Sequence, residues 1–243
     1  MCNFAHVQGG FFSTTYFFKK MMVIMKKINL FFLGLSWMAL ASCGSESSHS
    51  SVVESANSDS IQMESNNEVV QNIMARRSIR KYQSEPIAPQ TLHTILECGI
   101  NAPNGQNKQS WEVRVVNNDT VMKEILDVML EAYPDVEPQK LADSFRGAPV
   151  MLFIARDKGY DFSAYDCGLL AGNVMLSATS LGVGSICLGM PVRLIRDNPA
   201  CAPILKRLNF SEGYELSLCV GLGYPDESPA AKPRDWEKVK YVD

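Results

Sequence analysis

The sequence contains little histidine and no closely spaced cysteines, the residues that most often hold metal ions in proteins. It has 3 histidines, and only His93 lies in the part of the chain that has the composition of a folded domain. Its 7 cysteines include no C-x-x-C pair, so neither a zinc knuckle nor a disulfide framework is indicated. We therefore expect no metal ion and no histidine-based catalytic triad.

An excess of positive charge is also missing. The chain has 23 Lys and Arg against 26 Asp and Glu, which gives a formal net charge of -3 and an isoelectric point near 5.7. A general nucleic-acid binder would normally be strongly basic, so we expect no nucleic-acid partner. Hydrophobic residues make up 46% of the chain, which is enough for a sizeable core.

The apolar segment near the N-terminus is too short to cross a membrane comfortably. Residues 28–42 are uncharged and mostly apolar, but 15 residues fall short of the about 20 that a spanning helix needs. The segment follows Lys26 and Lys27 and suits a secretory signal peptide. It ends in Leu40-Ala41-Ser42-Cys43, which resembles a bacterial lipobox. We expect a signal peptide at 25–42 and lipidation at Cys43; an ordinary signal peptide that happens to precede a cysteine is the alternative.

Lysine and arginine are absent between Lys27 and Arg76. Residues 43–67 are rich in serine and cannot bury enough apolar surface to order themselves, so we predict a flexible tether. Residues 1–24 follow no coherent targeting pattern, and Met25 gives a cleaner signal sequence. We interpret residues 1–24 as a start-codon artefact or an untemplated N-terminal extension, which leaves residues 68–243 as the folded domain.

Residues 68–243 alternate between helical and strand-like periodicity, which predicts an α+β domain with a central sheet and helices around it. The predicted helices lie around 69–74, 89–100, 121–129 and 160–181. The predicted strands lie at 111–116, 150–155, 186–190 and 216–222. The helix around 166–181 is apolar nearly all round and rich in small residues, which favours burial against a partner subunit. A central helix of a monomer is the alternative.

The cysteines of this domain divide by their local sequence. Cys98, Cys167, Cys187 and Cys219 lie in apolar runs and are expected to be small buried residues. Cys201 lies between two prolines and is expected to be the most exposed.

The run Arg76-Arg77-Ser78-Ile79-Arg80-Lys81-Tyr82 packs four cations into six residues around one hydroxyl. A charge run is most often the solvated face of a helix, and Lys81 is expected to be solvated. Guanidinium forks and a hydroxyl, however, are also the groups that a phosphate prefers. Two further segments belong to the same pattern, Ala102-Pro103-Asn104-Gly105-Gln106-Asn107-Lys108-Gln109-Ser110-Trp111 and Lys232-Pro233-Arg234.

Together these three segments resemble the nitroreductase family of FMN-dependent oxidoreductases, over residues 68–243. The resemblance implies a nitroreductase-like fold with a central mixed or antiparallel sheet. It also implies an intertwined homodimer with FMN at the subunit interface.

The same resemblance implies a set of cofactor contacts. Arg76, Arg77, Ser78 and Arg80 carry over to the FMN phosphate, and Lys232 and Arg234 to the phosphate and ribityl chain, although a solvated C-terminus is the alternative for that pair. Pro103, Asn104 and Asn107 carry over to the flavin ring. Asn104 stands where serine is usual, and Ser110 replaces the usual proline before Trp111.

The glycine-rich stretch 181–189 reads by itself as a helix C-cap and a turn into a strand. Against the family pattern, Leu188 and Gly189 lie beside the flavin, with the Gly189 amide near flavin N5, where a missing side chain permits close approach. No catalytic side chain is expected, because the cofactor carries the hydride chemistry.

The activity implied by the resemblance is a ping-pong hydride transfer from NAD(P)H to nitroaromatics, quinones or other electron-poor small molecules. The export signal conflicts with this donor, since NAD(P)H is a cytoplasmic metabolite. We expect a lipoprotein outside the inner membrane, on the periplasmic or outer-membrane face, attached through its lipid only. The alternatives are a cytoplasmic enzyme whose signal is not used, and an exported flavin-binding lipoprotein that carries electrons or senses redox state with a different donor.

Overall fold

The computed structural model describes residues 67–242. The predicted signal peptide, the lipidation site Cys43 and the tether up to residue 66 lie outside the described residues. Asn67, which the sequence analysis assigned to the tether, instead caps the first helix: its side-chain oxygen accepts hydrogen bonds from the Val69 and Val70 amides at 3.0 and 3.2 Å.

The described part contains helices and strands in mixed order. The helices are α1 (Glu68–Ala75), α2 (Pro89–Ile100), α3 (Asp119–Ala132), α4 (Pro138–Asp143), α5 (Ser163–Ser180), α6 (Met190–Arg196) and α7 (Ala202–Leu208). The strands are β1 (Trp111–Val116), β2 (Val150–Asp157), β3 (Gly184–Leu188) and β4 (Tyr214–Gly223). Short 3-10 turns occur at Gly105–Asn107, Pro199–Cys201 and Trp236–Lys238.

The four strands form one antiparallel sheet in the order β1-β2-β4-β3. The central strand β2 is buried on both faces, and Met151 through Ala155 have no exposed surface. This explains why residues 150–155 of β2 form a wholly apolar run and do not alternate between apolar and polar residues. The antiparallel sheet confirms the predicted fold class.

Helices cover both faces of the sheet. On one face, Ile125 of α3, Ile195 of α6 and Ile204 of α7 belong to the same buried cluster as Phe153 of β2. On the other face, residues from α2 and α5 form a second cluster with Leu152 of β2. The sheet thus separates two apolar layers, as expected for an α+β domain.

Helix α5 buries only one of its sides within the protomer. Its inner side packs closely on α2, where a Cβ added at Gly99 would lie 2.6 Å from the Val174 side chain. On its outer side Tyr165 and Leu169 are 70% and 46% exposed. Within the chain the helix is therefore buried on one side, and burial of its other side against a partner subunit stays a prediction.

Two expectations about cysteines are wrong. Cys201 is fully buried, because the 3-10 turn Pro199–Cys201 directs it into the cluster around α6 and α7. Cys187 is exposed because β3 is an edge strand, and an apolar local sequence does not by itself bury an edge strand. Cys98, near the end of α2, is half-buried.

Among residues 67–242 no helix is long and apolar enough to cross a membrane. Nor does this part of the chain contain a group of three or more His, Cys, Asp or Glu residues placed to hold a metal ion.

Candidate functional site

The arginine-rich run leaves the helical conformation where α1 ends. Arg76 has φ -53° and ψ 131°, and the following residues run alongside β3, with Ser78 forming a parallel bridge to Ser185. The Ile79 amide donates to the Ser185 carbonyl at 3.0 Å, and the Ile79 side chain is buried. The interpretation of this run as one face of a solvated helix is therefore wrong, although Lys81 is exposed as expected.

The C-terminal tail is brought to the same place by backbone pairing. The Gln83 amide donates to the Tyr224 carbonyl, and the Asp226 amide donates to the Lys81 carbonyl, both at 2.9 Å. Beyond these, the Glu227 carboxylate accepts a hydrogen bond from the Arg80 backbone amide. This pairing fixes the point from which residues 228–234 run back over the arginines.

A half-buried tyrosine, Tyr82, forms a β-bridge with Pro225 between the two segments. The Tyr82 hydroxyl donates to the Ile79 carbonyl at 2.8 Å. Burial raises the pKa of Tyr82 above its ordinary value; the Glu227 carboxylate adds to this and the Arg80 guanidinium opposes it. Tyr82 is therefore a neutral hydrogen-bond donor throughout the physiological pH range.

Both cationic segments line one cavity of about 560 Å³. Six residues that the sequence analysis assigned to the cofactor lie in its wall, namely Arg76, Arg77, Ser78, Arg80, Lys232 and Arg234. The rest of the wall is apolar: Ile73, Met74, Leu176, Pro229, Ala230 and Ala231. A run near residue 80 and a pair near residue 233 are thus parts of one site.

The cations of this cavity are not neutralised by the protein. Within residues 67–242, none of its four arginines and one lysine forms an ion pair with a carboxylate. The Arg77 guanidinium donates to the Met74 carbonyl at 2.6 Å, and that of Arg80 to the Ser78 carbonyl at 2.9 Å. Unpaired guanidinium groups held over a cavity are the donors that a phosphate dianion prefers.

The segment between α2 and β1 forms a second candidate region. It contains three residues other than glycine with positive φ, Gln106 at 56°, Asn107 at 53° and Gln109 at 48°. The Asn104 side-chain oxygen accepts from the Gln109 amide at 2.9 Å, so this side chain holds the segment in shape. Pro103, Asn104 and Asn107 do not line the cationic cavity of the protomer.

The last two residues predicted to contact the cofactor, Leu188 and Gly189, lie at the end of strand β3. Leu188 is buried, whereas Gly189 is exposed, and a Cβ added at Gly189 would meet no atom within 4 Å. Gly182 has φ 73° and ends α5 before β3 begins, which matches the reading of this stretch as a helix C-cap and turn. Leu188 and Gly189 likewise lie outside the lining of the cationic cavity.

Sequence reasoning missed two acids that organise these regions, Glu227 and Asp166. Asp166 accepts hydrogen bonds from Gly105 and Ser110 in the segment before β1. A signal for Asp166 was available, because it is the single charged residue between Asp161 and Arg193. A lone acid in so long an apolar stretch is expected to have buried partners.

Comparison with protein-family models matches residues 73–224 to the Nitroreductase family. The chain belongs to the nitroreductase family. A nitroreductase from Desulfitobacterium hafniense DCB-2, solved with bound FMN, shares 31% identity and a TM-score of 0.65, covering 73% of this chain and 99% of that one. A nitroreductase from Bacteroides fragilis NCTC 9343, also solved with bound FMN, shares 26% identity and a TM-score of 0.64, covering 73% and 100%.

A curated relative carries an activity in its name. The NADPH-flavin oxidoreductase of Vibrio harveyi is 29% identical over 178 residues, which is 69% of this chain and 70% of that protein. The solved nitroreductases confirm the predicted fold. The family match confirms the resemblance over residues 73–224, which contain the arginine-rich and amide-rich segments, whereas Lys232 and Arg234 lie outside the matched residues.

Proposed function

We propose that this nitroreductase-family protein is an FMN-dependent oxidoreductase that passes two electrons from NAD(P)H to nitroaromatics, quinones or similar electron-poor small molecules. The observation that carries the proposal is the cavity in which four arginines and a lysine converge, none of which forms a side-chain ion pair within residues 67–242. FMN, when bound, supplies the centre that accepts and gives up the hydride. The flavin oxidoreductase of Vibrio harveyi supports a nicotinamide donor.

The cavity fits the charged end of FMN. A phosphate dianion needs several hydrogen-bond donors and at least two positive charges, and Arg76, Arg80, Lys232 and Arg234 surround the cavity with more than that. Ser78 adds a hydroxyl, and the apolar part of the wall excludes water from the ion pairs, which strengthens them. We assign the phosphate to this cavity.

The protein's task at the ring is to orient the cofactor and leave one face open. We assign the ring to Pro103, Asn104 and Asn107 together with Leu188 and Gly189, whose open side leaves room for a planar group. An open ring face binds donor and acceptor in turn, which is a ping-pong sequence in which the donor leaves before the acceptor enters. Low selectivity is physically expected when an open flavin face does the chemistry, so several electron-poor molecules can share the site.

We further propose that the protein is a homodimer. The outer side of α5 is apolar, and Cβ atoms added at Gly168 and Gly172 would meet nothing within 4 Å, so another backbone can approach closely there. Helix α1 lies beside it, since the Asn72 side chain donates to the Leu176 carbonyl at 2.9 Å, and Val69 of α1 is 68% exposed. Adjacent exposed apolar surfaces of this kind mark interfaces.

A homodimer also explains why the assigned residues fall into separate regions. The phosphate residues line one cavity of the protomer, while Pro103, Asn104 and Asn107 lie outside it. In a dimer, the corresponding segment of the second subunit can complete the site. The cofactor would then bind at the interface and stabilise the dimer.

The phosphate assignment is tested by two matched substitutions in one run of cations. Arg76→Ala removes a cavity-lining guanidinium and should weaken FMN binding by about 2 kcal/mol, roughly thirtyfold in affinity. Lys81→Ala removes the same charge from an exposed neighbour and should leave binding unchanged. Equal FMN retention by both variants through dialysis, measured by flavin absorbance, would contradict the assignment.

We propose that the protein is anchored outside the inner membrane through lipid on Cys43. The support is the sequence Leu40-Ala41-Ser42-Cys43 after an apolar segment. An anchored protein would not meet cytoplasmic NAD(P)H, so in that case a membrane quinol or a partner protein replaces NAD(P)H as the donor proposed above. A cytoplasmic chain whose signal is not used keeps NAD(P)H as its donor. Fractionation of wild type and Cys43→Ser decides it: wild type in the membrane fraction and the variant released supports the anchor, and an unprocessed wild-type chain in the cytosol contradicts it.

A further inference from the structure

We propose that Asp166 is a positioning residue for the flavin ring, because it fixes both ends of the segment 105–110 without contacting the cofactor. The inference rests on the proposed function, which assigns this segment to the ring. It concerns a residue on a different element, the first turn of α5.

The carboxylate of Asp166 is buried, and each of its two oxygens accepts a hydrogen bond. Its side chain is 2% exposed. One oxygen accepts from the Gly105 amide at 2.9 Å, and the other accepts from the Ser110 hydroxyl at 2.6 Å. Within residues 67–242, it is the one acidic side chain buried to this degree. A buried charge of this kind is tolerated only where hydrogen bonds compensate its lost hydration.

The segment 105–110 contains backbone conformations that need support from neighbouring residues. Gln106, Asn107 and Gln109 all adopt left-handed backbone conformations, which residues other than glycine rarely adopt. Such conformations persist only where the surroundings fix them, and they concentrate at binding sites. Asp166 clamps the segment at both ends, and the bond from the Gln109 amide to Asn104 closes it internally.

Gly105 lies in close contact with Tyr160 at the first of these clamps. A Cβ at this position would lie 2.2 Å from the Tyr160 hydroxyl oxygen, so a side chain here would displace the Tyr160 ring or the segment. Tyr160 also carries the Lys108 ammonium over its ring at 4.3 Å. Tyr160 therefore packs the outside of the segment while Asp166 bonds it from within.

The second clamp depends on the departure from the family pattern at Ser110. Proline, which is usual before the tryptophan, has no hydroxyl and could not donate to Asp166. Ser110 is 2% exposed, and its hydroxyl donates this hydrogen bond. The bond from Ser110 to Asp166 therefore fixes the end of the segment that leads into β1.

Asp166 and Ser110 do not line the cationic cavity, so their loss should act on ring binding and leave phosphate binding intact. Riboflavin separates the two, because it has the ring and ribityl chain of FMN and lacks the phosphate. A ring defect weakens both flavins by the same factor, whereas a phosphate defect weakens FMN alone.

The experiment measures dissociation constants of FMN and riboflavin for the purified wild type and four variants, with folding checked by circular dichroism. Asp166→Ala removes both acceptors, Asp166→Asn keeps one oxygen for the Gly105 amide, and Ser110→Ala removes one donor. Ser144→Ala is the matched control, since Ser144 is also buried and donates to the Leu141 carbonyl at 2.6 Å, outside the assigned site.

The expected result is a loss of about tenfold or more in both flavin affinities for Asp166→Ala. Asp166→Asn and Ser110→Ala should fall between it and wild type, with the ratio of the two affinities unchanged. Ser110→Ala keeps the test decisive if Asp166→Ala does not fold. Binding of both flavins by folded Asp166→Asn and Ser110→Ala as tightly as by Ser144→Ala would overturn the inference, as would a selective loss of FMN. A wild type that binds neither flavin would overturn the proposed function itself.

Discussion

At the scale of single residues, solvent access decides what each cysteine can do. Cys187 is exposed on the edge strand β3, while Cys167, Cys201 and Cys219 are buried. Burial raises the pKa of the Cys167 thiol to about 12, with the neighbouring Asp166 charge adding to the shift and Arg156 opposing it. The thiol of Cys187 is partly shielded from water although the residue as a whole is exposed, and this loss of hydration raises its pKa. Its thiolate is therefore scarce at neutral pH, although a reagent can reach it.

Native-state alkylation should therefore separate these thiols. We expect Cys187 to be labelled by iodoacetamide in the folded protein, faster as the pH rises because the thiolate is the nucleophile. Cys201 and Cys219 should be labelled only after unfolding. Peptide mass spectrometry after labelling at several pH values measures both. Rapid native labelling of Cys201 would contradict the burial of the turn Pro199–Cys201.

The residues of the site differ in how far the sequence could reveal them. Arg76, Arg80 and Lys232 carry charges in segments of little apolar content, and such groups are visible as a pattern. Asp166 and Glu227 act through hydrogen bonds to residues 61 and 147 positions away, and nothing local records those partners. The exposure of Cys201 was predicted wrongly because flanking prolines favour a turn but do not determine which way the side chain points.

At the scale of elements, the strands and the longer helices could be predicted, and the helices of six or seven residues could not. Strand β1 has the predicted bounds, Trp111–Val116, because a half-buried strand carries its own signal. Met190 was assigned to a strand, yet it begins α6. Helices of six or seven residues such as α4 and α6 are stabilised by packing on the sheet, and their own periodicity is too brief to identify them.

The pairing of residues 79–83 with residues 224–227 joins the two cationic segments, and Glu227 makes its last contact. We expect Glu227→Ala to free the Arg80 amide and speed its hydrogen exchange by about tenfold or more. Glu227→Gln keeps an acceptor oxygen and should restore most of the protection. Exchange followed by mass spectrometry across this region is the measurement; equal exchange in Glu227→Ala and wild type would show that the tail is held by the other bonds alone.

At the scale of the whole molecule, the open side of α5 predicts an interface. A Cβ added at Gly168 would meet no atom within 4 Å, so Gly168→Leu should fold as a monomer yet block association with a second copy. Glu131→Leu, an exposed substitution on α3 across the sheet, serves as the control and should remain dimeric. Sedimentation velocity measures the masses, and a dimeric Gly168→Leu would place the interface elsewhere.

The central claim is that a nicotinamide nucleotide reduces FMN held by this chain. The most direct measurement is the visible flavin absorbance of the FMN-loaded protein, without oxygen, as NADH and then NADPH are added. The account predicts rapid bleaching by at least one of them and recovery of the absorbance when a quinone follows. A flavin that neither nucleotide bleaches, although dithionite does, would contradict the claim and point to a different donor.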